Sequence, residues 1–131
     1  MREIKFRYRI KQKNNPEIRT LILPLHDLEF NFYEDIIKNN WEVLSKDQFT
    51  GLKDKNGKEI YERDIVNCRG YQDKIYSIGE VYWSDITAQI YIGCHYNNNL
   101  LNPEFSLRIV EDVKELEVIG NIYENPELLT H

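Results

Sequence analysis

At 131 residues, with 41% apolar side chains, the chain amounts to about one domain and can bury a real hydrophobic core. Its 9 Tyr, 5 Phe and 2 Trp favour half-buried pleated surfaces over helix interiors and tilt the reading toward β structure. A net charge of −5 argues against a surface that binds nucleic acid throughout, and the lack of any apolar run of about 18 residues excludes a spanning helix.

Met1-Arg2-Glu3-Ile4-Lys5 alternates polar and apolar residues where a signal peptide carries a solid apolar stretch, so the cytoplasm is the expected compartment. The alternation continues as a strand, with Ile4, Phe6, Tyr8 and Ile10 on one face and Glu3, Lys5, Arg7, Arg9 and Lys11 on the other. Asn14-Asn15-Pro16 supplies turn chemistry, and Ile18 to Leu23 returns as an antiparallel partner that Pro24 stops.

From Asp27 to Asn40 two periods compete. Leu28, Phe30 and Phe32 alternate like a strand, while Phe32 with Ile36 and Tyr33 with Ile37 sit at helical spacing; the reading here is a short helix at about 33–39. Trp41 to Leu44 looks extended. From Phe49 the chain runs into Asp54-Lys55-Asn56-Gly57, whose Asn-Gly places a tight turn at 55–57. Ile60 and Asp64 to Cys68 read as buried strand, Arg69 to Asp73 as a loop, and Ser77 to Trp83 with Ala88 to Cys94 as two strands of a meander. Asn97-Asn98-Asn99 and Asn102-Pro103 mark a loop, and Glu117 to Tyr123 forms a last strand before Asn125-Pro126.

The ends differ in sign. Arg2, Lys5, Arg7, Arg9, Lys11 and Lys13 face only Glu3 near the start, whereas Glu104, Glu111, Asp112, Glu115, Glu117, Glu124 and Glu127 face Arg108 and Lys114 near the finish. The basic strand face projects its cations about 6.5–7 Å apart, a spacing that can track phosphates. The competing reading is that the face is solvated or paired across strands with the acidic C-terminal segment.

Metal and catalytic patterns find little support. Counted as a calcium loop from Asp54, Gly57 falls at the wrong position and Ile65 stands where a bidentate Glu is required, so a plain hairpin turn is the better reading. Glu59, Glu62 and Asp64 read as turn or solvent-facing carboxylates rather than an acid and base pair. Cys68 and Cys94 lack C-x-x-C spacing and read as buried thiols, and Cys94 and His95 are strand neighbours that point to opposite faces. No phosphate-binding glycine loop or nucleophile elbow occurs. Tyr71, Tyr76, Tyr82, Trp83, Tyr91 and Tyr96 read mainly as core, and any left outside would mark an interface.

Three stretches carry a family signature: Met1-Arg2-Glu3-Ile4-Lys5-Phe6-Arg7, then Phe49 through Val66 (FTGLKDKNGKEIYERDIV), and Val118 through Leu129 (VIGNIYENPELL). In order and spacing they resemble the YopX family of phage and prophage proteins. The resemblance implies a phage or prophage origin, a mixed but β-rich fold, self-association, and no established biochemical activity. Arg63 departs from it, since the family usually has Gly there, and a left-handed backbone at that point would be strained by an arginine. Residues 11–48 and 69–115 lie outside these three stretches.

The fold expected is α+β and mainly β: an N-terminal hairpin, one short helix and a curled, SH3-like or small-barrel antiparallel sheet from about 49 to 123. It is read as one domain over 1–131, with 1–48 as a subdomain and 49–129 as the barrel-like part. The function expected is that of an accessory protein that binds a host or phage protein, or its own copies, without catalysis, cofactor or metal. The alternative is a nucleic-acid-binding module that uses Lys5, Arg7, Arg9 and Lys11.

Overall fold

The computed structural model describes residues 3–24, 32–70, 76–85, 87–93, 95–96, 99–100, 107–108 and 113–129. The chain divides into two compact units, Met1–Gly51 and Leu52–His131.

In the first unit the alternating segment becomes β1 (Lys5–Gln12), which lies between β2 (Ile18–Pro24) and β3 (Trp41–Lys53), antiparallel to both. Its apolar parity supplies the core: Tyr8 and Ile10 are buried with Ile36, and Phe6, Leu21, Leu23 and Trp41 pack around them. Ile36 comes from the helix α1 (Phe32–Lys38), which is acidic in its first turn at Glu34 and Asp35 and basic in its last at Lys38, as the helix dipole favours. Asn40, at φ 58, ends the helix in the left-handed conformation that asparagine tolerates. The helical period therefore prevails over the strand-like alternation from residue 32 onward; Leu28 and Phe30 lie outside the described residues.

β3 is longer than the sequence suggests. The polar run Ser45-Lys46-Asp47-Gln48 offers no apolar alternation, yet it is unbroken strand because it pairs with β1, with a bulge between Arg9 and Ile10 absorbing the mismatch. β3 continues past Gly51 into the second unit, where its neighbour in the sheet is β4 (Glu59–Tyr61).

The second unit is built on β5 (Asp64–Gly70), β6 (Tyr76–Ser84), β7 (Gln89–Gly93), β8 (His95–Tyr96), β9 (Asn99–Leu100), β10 (Leu107–Arg108) and β11 (Val113–Asn121). Five of these form a sheet in the order β10-β7-β6-β5-β11, and β8 pairs with β9. Ile60, Val66, Cys68, Val81 and Ile92 are its buried centre, with Leu52, Ile90, Leu116 and Val118 packed against them. The Cys68 thiol is free and buried; Cys94 lies outside the described residues. A closing 3-10 turn, Pro126–Leu129, buries Leu129.

The chain is thus α+β and mainly β, as expected. The described strands stay open and form no closed barrel: β10 and β11 end the five-stranded sheet. The outer side of β11 is taken by a turn, as Lys55 N–H donates to Leu116 O at 3.0 Å and Val118 N–H donates to Asp54 Oδ2 at 3.0 Å.

Arg63 sits at φ 68 in the turn between β4 and β5, in the region that glycine adopts without cost. Two backbone bonds hold it there: its N–H donates to Val81 O at 2.8 Å, and its carbonyl accepts from Ile122 N–H at 3.0 Å. The left-handed penalty of about 1–2 kcal/mol for an L side chain exceeds the entropy that glycine brings to the unfolded chain, about 0.5–1 kcal/mol. Arg63→Gly is therefore expected to stabilise the protein by about 0.5–1 kcal/mol, read as a higher urea midpoint at unchanged slope.

Candidate functional site

The basic row of β1 is the first place to look. Lys5, Arg7, Arg9 and Lys11 share one parity of the strand, but β1 is an inner strand, so neighbours on both sides reach them. Arg7 Nη2 donates to Asp47 Oδ2 at 3.2 Å, directly across in β3, and both groups are largely buried. Lys11 Nζ lies 3.7 Å from Glu42 Oε2, again its partner in register. Lys5 Nζ is 3.5 Å from Glu3 Oε2 and 4.7 Å from the centre of the Phe49 ring. Arg9, opposite Ser45, retains 8% of its exposure. The structure brings the four cations into one row and sets acids from β3 opposite Arg7 and Lys11. These acids come from mid-chain rather than from the acidic C-terminal segment.

The opposite face of the same sheet is also charged at its centre. Lys46, in register with Tyr8, holds its ammonium 4.4 Å from the Phe6 ring centre and 5.8 Å from that of Tyr8, covering the aromatic row.

Beside the basic row, β2 is an edge of the four-stranded sheet. One parity, Leu21 and Leu23, packs into the core, while Ile18 and Ile22 on the other stay 46% and 44% exposed. The register of β2 against β1 runs without a bulge from Ile18 to Pro24. Arg19, next to Ile18, stands over the Trp41 ring at 5.4 Å and 3.9 Å from Glu17. Such a strand has few of the devices that block edge pairing: no lysine, no bulge, one arginine, and a proline only at its last residue. Sequence reading placed β2 but missed its exposure. The signal was there, since Ile18 and Ile22 oppose Leu21 and Leu23 in parity, and an edge strand can bury only one of two apolar rows.

Between Phe49 and Val66 the carboxylates accept backbone amides of the turns. Asp54 accepts the Asn56 and Lys58 N–H groups on Oδ1, each at 2.9 Å, and the Val118 N–H on Oδ2. Burial acts to raise its pKa, and the bonds from Val118, Lys58 and Asn56 with the charge of Lys58 outweigh it, so the carboxyl lies below its ordinary value. Asp64, also buried, accepts the Tyr61 N–H at 2.8 Å, and Glu59 lies 3.4 Å from the Tyr61 hydroxyl. Lys55 reaches Glu117 at 3.4 Å and Glu115 at 3.5 Å, and its hydrogen bond to Glu117 raises its pKa.

The C-terminal motif works in the same way. Asn121 Oδ1 accepts from the N–H groups of Tyr123 and Glu124, and a Cβ at Gly120 would collide with the Asn125 side chain. Among the described residues no cluster of three or more His, Cys, Asp or Glu could hold a metal ion. No helix of the described residues is long and apolar enough to cross a membrane.

Comparison with known proteins adds a family. No curated protein matches the chain. Among solved structures it is similar to the crystal structure of protein EF1440 from Enterococcus faecalis, at 22% identity and a TM-score of 0.44 over 96% of this chain and 97% of that one. The family model described as YopX protein matches residues 3–130, almost the whole sequence, and the chain belongs to the YopX family.

Proposed function

We propose that this chain is a phage or prophage accessory protein that works in the cytoplasm of a bacterial host by binding another protein strand, without catalysis. The observation that carries this reading is β2, an edge strand with two exposed isoleucines on one face. A strand of that kind accepts an extended segment by main-chain pairing, with the alternate side chains supplying specificity. The partner strand comes from a host or phage protein or from a second copy of the chain.

The basic row of β1 is the weaker candidate. Arg7 and Lys11 spend their charge on Asp47 and Glu42, and the whole chain is acidic, so little net potential is left to draw phosphates. The same ion pairs account for the row as a means of holding β1 to β3.

Affinity capture from cells carrying the phage, with and without nuclease, tests both readings. Wild type is expected to retain a protein partner through nuclease treatment. The double substitution Ile18→Lys and Ile22→Lys, at exposed positions, is expected to lose that partner while leaving the melting curve within about 0.5 kcal/mol of wild type. Retention of the partner by the double variant would sink the β2 reading. Recovery of nucleic acid that Arg9→Glu releases would promote the β1 row instead.

A further inference from the structure

The turn between β3 and β4 joins two facts that the fold alone does not use. Asn56-Gly57 is the dipeptide in which an asparagine side chain is most open to attack by the following backbone nitrogen, because glycine has no Cβ to obstruct it. Both residues are exposed, so solvent reaches them. Yet the attacking nitrogen is occupied: Gly57 N–H donates to Asp54 O at 3.0 Å. Asn56 is held as well, since its own N–H donates to Asp54 Oδ1 at 2.9 Å, and Asp54 N–H donates to Lys58 O at 2.8 Å across the base of the loop. Gly57 stands at φ 81, and no atom lies within 4 Å of where its Cβ would be, so the constraint is hydrogen bonding and not crowding.

We infer that Asn56 is a site of spontaneous deamidation in this chain, and that the Asp54 clamp gates it. The chemistry needs only solvent water. The Gly57 nitrogen loses its proton and bonds to Asn56 Cγ, the Cγ–Nδ2 bond breaks, and ammonia leaves with that proton. Water then opens the five-membered imide at either carbonyl, giving aspartate or isoaspartate at position 56. The first bond forms only when Gly57 N–H has left Asp54 O and the Asn56 backbone has turned, so the reaction proceeds through the opened loop. Its rate falls by the fraction of time the loop is closed.

Closure also makes the change one-way for the structure. An aspartate at position 56 puts a second carboxylate next to that of Asp54, and an isoaspartate lengthens the backbone inside a loop closed by the bonds from Asp54 to Lys58. Either product works against the clamp that restrains the reaction, so the opened state accumulates.

The test follows residues 53–59 by peptide mass spectrometry, with isoaspartate quantified by enzymatic methylation, during incubation of the whole chain at pH 8 and 37 °C. Native protein is expected to deamidate at Asn56 at least about tenfold more slowly than the same protein held unfolded in urea, as opening-limited chemistry requires. Asp54→Asn, which keeps one acceptor oxygen for the loop amides, is expected to fall between the two while its circular dichroism stays native. Equal rates in native and unfolded wild type would overturn the inference. A natively folded Asp54→Asn that ages no faster than wild type would remove Asp54 as the gate.

Discussion

Asp54→Ala is expected to destabilise the second unit by about 3–5 kcal/mol, enough to take most of the stability of a typical domain. The substitution removes one side chain and strands three donors. Asn56 and Lys58 lose the acceptor that shapes the loop, and Val118 N–H loses the acceptor that seals the outer side of β11. Hydrogen bonds to an ionised acceptor contribute about 1.5–3 kcal/mol each, and the partly buried Val118 amide left without one also costs part of its desolvation. Urea unfolding followed by tryptophan fluorescence measures the loss. A change below about 1 kcal/mol would mean that water replaces the carboxylate at all three amides.

The same carboxylate gives the protein an acid limit. Its pKa in the folded chain lies below the ordinary 3.8, so the stabilisation is complete above the unfolded value and is lost as pH falls through the lower folded one. Unfolding free energy should therefore drop below about pH 4 in wild type, and Asp54→Asn should show a shallower drop over the same range.

Asp47→Ala is expected to cost the first unit about 3–5 kcal/mol through a different mechanism. Asp47 retains 2% of its exposure, and its Oδ2 takes the bond from Arg7 Nη2. Removing the acid leaves a guanidinium largely out of water without the carboxylate opposite it, the costly way to break such a pair. Replacing both partners by Arg7→Met and Asp47→Leu should recover most of the loss, since neither charge of the pair is then left behind. Stability of the double variant no better than that of Asp47→Ala would show that Asp47 acts through other bonds than the one to Arg7.

The parts of this fold that were legible are those written in short-range pattern. Phe6, Tyr8 and Ile10 announced β1 by strict alternation, and the Asn-Gly dipeptide placed a three-residue loop that the structure puts at Lys55, Asn56 and Gly57. The strain expected at Arg63 is visible in its backbone, whose φ is 68°. What stayed hidden needed long-range register. Ser45 to Gln48 has no apolar period, so nothing local marks it as strand or names Asp47 as the partner of a residue forty positions earlier. The roles of Asp54 and Asn121 were hidden for a related reason. A carboxylate or amide that accepts backbone amides has the same letter as one poised for catalysis, and only coordinates tell them apart.

The placement of β11 also sets a timetable. β5, β6 and β7 follow one another in sequence and pair as neighbours, so this meander can assemble from what has already been synthesised. The other side of β5 is reserved for a strand made some fifty residues later, and the Asp54 carboxylate waits for an amide at Val118, with a sequence separation of 64. Until then Val66 and Cys68 have no cover from Leu116 and Val118, and the growing chain presents an open β5 edge next to apolar side chains. The growing chain thus passes through an interval in which the β5 edge and its apolar side chains stand open, and that interval closes when residues 113–121 are delivered.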